Sequence, residues 1–227
     1  MFLTKLALAQ MIDISAVKAD STAKEVESCV NAAMEHKFIA VFPLPTFAMY
    51  TKNLLKEQKG IILGGTVGFP SGSTTTNTKV FEAKELIGIG CQELDMVINI
   101  AKLKSKMLDE VSTDVSAVTK IAGDIPVKVI LEVSLLSDEE IATGSRIIRD
   151  CGAKFIKTGT GWSGATTLEH IRVIKNSVGN SIDIKVAGGV RNLESLLKIH
   201  EMGVSRFGLG YKAAIDVMAE YDRTKVE

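Results

Sequence analysis

Short, nearly continuous apolar runs recur along the chain, each followed by a polar or glycine-rich turn and a helix-like segment. Eight runs stand out, at positions 11–14, 38–43, 61–67, 93–98, 127–132, 154–158, 183–187 and 205–209. Their starts lie roughly 20–35 residues apart, the period of one strand, its turn and a returning helix. Within each run apolar residues follow one another instead of alternating with polar ones. That is the pattern of parallel strands covered on both faces.

The segments between the runs carry their own punctuation. Thr22-x-x-Glu25, Ser137-x-x-Glu140 and Thr166-x-x-Glu169 read as capping boxes, in which hydroxyl and carboxylate each satisfy an amide at a helix start. Gly90, Gly152 and Gly203 each stand between a helical segment and the next strand, where a left-handed residue closes the helix. Eight strand–helix units of similar length predict an α/β chain folded as a single-domain (β/α)₈ TIM barrel over residues 1–227. The rival is an open, doubly wound sheet. No GxGxxG follows the first strand, and the even spacing favours closure.

Composition narrows the partners. Hydrophobic residues make up 46% and charged residues 24% of the chain, with 27 basic and 27 acidic side chains. No basic field is available for nucleic acid, so an anionic ligand must be held by a local site. Cys29, Cys91 and Cys151 are odd in number and far apart, which suggests buried thiols in a reducing, cytoplasmic setting. His36, His170 and His200 show no metal-ligand spacing, so no metal and no cofactor is expected. The N-terminal MFLTKLALAQMIDIS lacks the long apolar core and cleavage site of a secretion signal, and no apolar run is long enough for a membrane span.

Charge inside a strand is the strongest chemical signal. Lys157 ends the sixth run, Lys185 lies in the seventh, Asp95 in the fourth and Lys128 in the fifth. Charges facing a barrel interior are costly unless paired or used. Lys128, near the start of its run, is expected to point outward or to serve a structural ion pair. Lys157 stands at the functional end, before a glycine-rich loop. A free lysine titrates near 10.4 and is a poor nucleophile at neutral pH. Burial or a neighbouring ammonium releases the amine, which can then attack a carbonyl and form an iminium. A carboxylate such as Asp95, working with a water, can move the protons. Loops after strands seven and eight form the usual phosphate site of this fold. Here they carry Gly188, Gly189, Gly208 and Gly210, and Gly161 follows Lys157; tight turns alone would also explain these glycines.

These residues resemble the deoxyribose-phosphate aldolase family of class I aldolases. The resemblance runs through VGFPSGSTTTNTKVFEAKELIGIGCQELDMVINI, VKVILE, AKFIKTGTG, IKVAGGVR and SRFG. It implies a (β/α)₈ barrel and reversible cleavage of 2-deoxy-D-ribose 5-phosphate to D-glyceraldehyde 3-phosphate and acetaldehyde. By position it implies Lys157 as the Schiff-base lysine, Lys185 as the second lysine and Asp95 as the relay carboxylate. It also implies Asp13 near the substrate hydroxyls, with Gly188, Gly189 and Gly208 as backbone phosphate contacts. Barrels of this family commonly pair, so a homo-oligomer, dimer or tetramer, is expected.

Three places depart from the pattern. Trp162 stands where many relatives have lysine or a small polar group, Leu209-Gly210-Tyr211 replaces a run of small residues and serine, and Ile14-Ser15 replaces His-Thr. The first two remove phosphate donors, for which Arg191, Lys212 or the Gly210 amide would have to compensate. An aldolase of the same family with a different or non-phosphorylated aldehyde acceptor is therefore the alternative. A barrel isomerase or synthase without a covalent intermediate fits less well, since it has little use for two interior amines. A non-catalytic binding protein leaves the intact lysines and Asp95 unexplained.

Overall fold

The computed structural model describes residues 3–224. Eight parallel strands close into a barrel in sequence order, each hydrogen-bonded to its neighbours and the eighth to the first. The strands are β1 (Ile12–Ala16), β2 (Ala40–Pro43), β3 (Ile62–Val67), β4 (Glu93–Val97), β5 (Val127–Ile130), β6 (Phe155–Lys157), β7 (Asp183–Ala187) and β8 (Arg206–Gly210). All eight fall on the apolar runs of the sequence. Helix α1 (Lys5–Ala9) precedes β1, and α2 (Ala23–His36), α3 (Ala48–Leu54) and α4 (Thr76–Ile89) follow the first three strands. Two helices follow β4, α5 (Ile100–Lys104) and α6 (Leu108–Ala122). Then come α7 (Asp138–Asp150), α8 (Leu168–Val178), α9 (Leu193–Glu201) and α10 (Tyr211–Arg223).

The apolar core lies between the strands and the helix ring. Ile14, Val41, Leu94, Met96, Val129, Ile156, Ile184, Val186 and Phe207 are buried there against α2, α6, α8 and α10 residues such as Val30, Val115, Ile171 and Val217. At roughly 1.5–3 kcal/mol for each fully buried large aliphatic side chain, this layer carries most of the drive to close the ring. The capping boxes at Thr22 and Ser137 form as the spacing suggests. Gly90, Gly152 and Gly203 all take positive φ at their helix–strand junctions.

Thr166 corrects the third capping box. α8 starts one residue later, with Thr167 as its cap and His170, not Glu169, completing the box. The Thr166 hydroxyl is instead held at the ends of two strands, 2.7 Å from Thr158 Oγ1 and 2.9 Å from the Ala187 carbonyl. Strand β5 also ends before its apolar run does. Glu132 turns left-handed at φ 59°, which stops the strand and aims its carboxylate across the barrel mouth.

The cysteines divide. Cys29 and Cys91 are buried, and burial pushes both thiols up to about 12, whereas Cys151 is only half-buried and lies beside Ser112. Among the described residues no helix is long and apolar enough to cross a membrane. Tyr221, near the end of α10, is buried and donates a hydrogen bond to the Leu3 carbonyl at 2.6 Å, away from the loops that follow the strands. Positions 225–227 of the C-terminal tail lie outside the described residues.

Candidate active site

Side chains alternate across a strand, so residues two apart share a face. On β4 this sends Glu93 and Asp95 together into the barrel. Lys128 of β5, Lys157 of β6, Lys185 of β7, Arg206 of β8 and Asp13 of β1 join them. The interior that usually holds layers of branched aliphatics is here a charged stack. The salt bridges run continuously through it. Lys157 Nζ and Lys185 Nζ each lie 2.7 Å from Asp95 Oδ2. Lys185 also reaches Asp13 Oδ2 at 2.6 Å, and Arg206 holds Asp13 Oδ1 at 2.6 Å and Glu93 Oε1 at 3.3 Å. Lys128 bonds Glu93 closely and sits 3.5 Å from Asp95 and 3.6 Å from Asp13.

Lys128 therefore points inward, and of its two expected roles the structural ion pair is the one seen. Phe42 of β2 lies against the stack, its ring centroid 4.3 Å from Lys185 Nζ and 4.7 Å from Lys128 Nζ. Gly208 leaves room for this arrangement. A Cβ there would lie 3.1 Å from Cε of Lys185.

The electrostatics separate the two upper lysines. Burial drives Lys157 down, Asp95 only partly opposes it and Lys185 adds to the fall, so the amine titrates at about 8. Burial acts on Lys185 in the same direction, but the carboxylates of Asp13 and Asp95 outweigh it and the proton is held more firmly than usual. For Asp95, burial favours the neutral acid, and the ammoniums of Lys157, Lys185 and Lys128 overcome it, leaving a carboxylate well below its ordinary range. Asp13 is held low in the same way by Lys185, Lys128 and Arg206 against its burial. The stack thus contains one amine poised to be free beside one that stays charged.

Above the stack opens a cavity of about 480 Å³. Asp13, Asp95, Lys157, Lys185, Gly161, Gly188, Gly189, Gly208 and Gly210 all line it, so the structure brings every site residue expected from the sequence to one chamber. Asp95 Oδ1 is buried without a hydrogen bond, 3.5 Å from Lys128 Nζ, and Thr66, its register partner on β3, also has an unbonded hydroxyl. Gly188 and Gly189 have φ of 86° and 95°, and a side chain on either would collide with Gly164 or Ala165 of the loop after β6. The helix α10 opens onto the same chamber. Its first residues are Tyr211, Lys212 and Ala213, and Gly210 caps it without a side chain. Arg191 and Lys212 bring positive charge to this rim.

Three contributors escaped the sequence reading. Arg206 and Glu93 complete the charged stack, and the alternation Glu93-x-Asp95 was the available signal for Glu93. The third is Glu132, buried at the end of β5. Its carboxylate accepts hydrogen bonds from the Thr160 amide at 3.2 Å and from the Thr160 hydroxyl. Thr160 Oγ1 in turn accepts the Trp162 amide at 3.0 Å, and the Trp162 indole N–H donates to the Val17 carbonyl at 3.1 Å. Trp162 also stands edge-on to Phe69 with ring centroids 5.8 Å apart. This chain of bonds fixes the loop that follows Lys157 and lays an indole across the mouth toward β1 and β3.

Residues 7–209 match the model of the DeoC/LacD family of aldolases. The chain belongs to this aldolase family. A deoxyribose-phosphate aldolase of Sinorhizobium medicae is 43% identical over 214 residues, covering 94% of this chain and 86% of that protein. One from Klebsiella pneumoniae is 39% identical over 218 residues, covering 95% and 88%. Among solved structures, the aldolase QR15 superposes with a TM-score of 0.90 at 33% identity, covering 96% of this chain and 97% of that one. A tetrameric deoxyribose phosphate aldolase from Aeropyrum pernix superposes at 0.88 with 24% identity, covering 97% and 93%, which supports the fold. This aldolase is accordingly a carbon–carbon lyase, and Lys157, at the upper end of the charged stack, ends its strand, where a (β/α)₈ barrel places its chemistry.

The position of Lys157 sets a pH dependence. Only the free amine attacks a carbonyl, and its titration at about 8 means that the free fraction grows as pH rises through that value. The initial rate of adduct formation with acetaldehyde, trapped by cyanoborohydride and read by mass spectrometry, should rise with a midpoint near 8. A midpoint near the ordinary lysine value of about 10.4 would contradict the effect of burial.

Proposed function

We propose that this aldolase reversibly cleaves 2-deoxy-D-ribose 5-phosphate to D-glyceraldehyde 3-phosphate and acetaldehyde through a Schiff base on Lys157. The observation that carries the reading is the sharing of one Asp95 oxygen by two lysines that line the cavity, with Lys157 the more exposed of the two. The names of the relatives point to the same substrate.

The steps follow from the residues. The free Lys157 amine adds to the C1 aldehyde of the open-chain sugar, and loss of water gives an iminium. A base removes the proton from the C3 hydroxyl, the C2–C3 bond breaks, and its electron pair moves onto C2 and into the iminium as an enamine. Glyceraldehyde 3-phosphate departs. Protonation of the enamine at C2 and hydrolysis release acetaldehyde and the lysine. Asp95 suits the proton transfers, since its Oδ2 accepts hydrogen bonds from both Lys157 and Lys185 at the floor of the cavity. Such general acid–base help contributes about 10²–10⁴-fold.

In this reading the phosphate is held by the glycine-rich part of the cavity wall. The loop after β7, with Gly188 and Gly189, and strand β8 itself, with Gly208 and Gly210 where a loop was expected, adjoin the α10 N-terminus, and Arg191 and Lys212 flank them. Backbone amides at a helix start favour an anion. A second reading keeps the chemistry and changes the acceptor aldehyde. It is favoured by Trp162, which adds an apolar wall to the rim. Acetaldehyde release from deoxyribose 5-phosphate and from unphosphorylated deoxyribose decides between them. The first reading expects kcat/KM at least about 100-fold higher for the phosphate ester, the worth of two or so charge-assisted hydrogen bonds. Equal rates would favour the second.

The same proposal includes one domain, a cytoplasmic enzyme, and assembly of identical chains. The Aeropyrum pernix relative is tetrameric, and Phe81 and Met49 are exposed apolar side chains available to such a contact.

A further inference from the structure

The charges of the salt-bridged stack do not balance. Among the described residues the stack contains four cations, Lys128, Lys157, Lys185 and Arg206, and three carboxylates, Asp13, Glu93 and Asp95. Register makes the crowding explicit. Lys157 pairs with Lys185 across β6 and β7, and Lys185 pairs with Arg206 across β7 and β8, so three cations occupy adjacent places in one row. In a medium of low dielectric an uncompensated charge is costly, and the least costly remedy is for one group to give up its proton.

Which group yields is set by geometry. A guanidinium does not deprotonate in a protein. Lys128 is wholly buried, bonded to Glu93 and within 3.6 Å of two further carboxylates. Lys185 touches two carboxylates, at 2.6 and 2.7 Å. Lys157 touches one, which it shares with Lys185, and it is the lysine nearest the cavity at 8% exposure. We propose that Arg206 is a positioning residue of the reaction, whose permanent charge at the base of the stack makes Lys157, at its mouth, the lysine that releases its proton most readily. The inference rests on the Schiff-base role of Lys157. Arg206 acts through a chain of contacts. It occupies Asp13 Oδ1 and Glu93 Oε1, while Lys185 and Lys128 take the other oxygen of each, so neither carboxylate has an oxygen left to pair with Lys157.

The groups facing Lys157 are Asp95 of β4, Lys185 of β7 and Asp13 of β1. Lys128 of β5 reaches it through Asp95, and the nearby carboxylate of Glu132 is taken by Thr160. Lys18, Glu25, Arg191 and Lys212 belong to the outer cavity. Altering the lower stack leaves all of these in place, and the two signs of charge there give opposite expectations. Arg206→Met removes the surplus positive charge, so Lys157 should keep its proton to higher pH. Glu93→Gln removes a carboxylate and should release it at lower pH. A merely structural role would impair both variants without moving the midpoint in opposite directions.

The test is the pH dependence of acetaldehyde adduct formation on Lys157, trapped by cyanoborohydride in the full-length protein and located by peptide mass spectrometry. The midpoint should rise by about one pH unit in Arg206→Met and fall by about as much in Glu93→Gln, the scale of one interior charge acting through an effective dielectric of about 20. Arg206→Lys should restore the parental midpoint. If Arg206→Met does not fold, the downward shift in Glu93→Gln carries the test. An adduct on Lys157 whose midpoint stays fixed, or moves the same way in both variants, overturns the role of Arg206 alone. The absence of any adduct in the parent protein overturns the Schiff-base reading and this inference with it.

Discussion

Replacing Lys157 by alanine is expected to lower retro-aldol kcat/KM by about 10⁴-fold or more, the loss typical of removing a covalent nucleophile, while leaving the barrel folded. No other described amine can take its place. Lys185 is buried more fully, is held charged by Asp13 and Asp95, and lies opposite Lys157 on the neighbouring strand. Folding should survive because the deletion relieves the stack. Asp95 keeps Lys185 at 2.7 Å and Lys128 at 3.5 Å, and three cations then face three carboxylates. The truncated side chain stands at the cavity, so the space it leaves opens to the pocket instead of forming a sealed void. The thermal midpoint should therefore move by no more than a few degrees, measured by calorimetry beside the activity assay. The borohydride-trapped adduct with acetaldehyde should disappear. A variant that retains full activity would remove the Schiff base from the mechanism.

Much of this architecture is legible in the residues themselves. Parallel strands covered on both faces must be apolar throughout, and helices returning to a sheet need a stop, so runs such as 183–187 and glycines such as Gly203 announce themselves locally. Lys157, Lys185 and Asp95 were visible because a charge inside an apolar run conflicts with its surroundings. Arg206 was not, because it opens its strand, where a charged residue commonly faces solvent. Its partners are set by closure of β8 onto β1, a contact between residues 193 positions apart. Glu132 hid for a related reason. It continues an apolar run, and only the left-handed turn at φ 59° reveals that the strand has ended and the carboxylate has swung onto Thr160. Thr166 shows the same competition on a smaller scale. Its sequence suits a helix cap, yet its hydroxyl is better employed joining Thr158 to the end of β7. Local pattern sets where elements begin and end to within a residue or two. Which polar group meets which is decided by register.

The second large effect separates two roles that the position of Lys185 allows. Lys185→Met keeps the length of the side chain and its packing beneath Phe42 and beside Gly208. At neutral pH it should lower kcat/KM by about 10²–10⁴-fold. Removing this ammonium lifts a repulsion from Lys157 and leaves it the Asp95 Oδ2 that the two lysines share. Both changes stabilise the protonated amine, and the fraction able to attack falls. Asp13 remains bound to Arg206 at 2.6 Å, so the fold loses little, within about 2 kcal/mol by urea titration. The pH profile then distinguishes an electrostatic role from a proton-transfer role. If Lys185 acts by charge alone, activity should recover as pH is raised toward about 10, because the free amine of Lys157 returns near its ordinary titration range. If Lys185 also passes a proton to or from substrate, a deficit should persist at every pH, since no pH restores a group that has been removed. Trapping resolves the two within one experiment. Adduct formation needs the free amine, whereas release of acetaldehyde needs the protons to move as well. The variant should recover adduct formation at high pH, and the gap left in acetaldehyde release measures what Lys185 contributes beyond its charge. Failure of adduct formation to recover would mean that Lys185 places the carbonyl as well as tuning the amine.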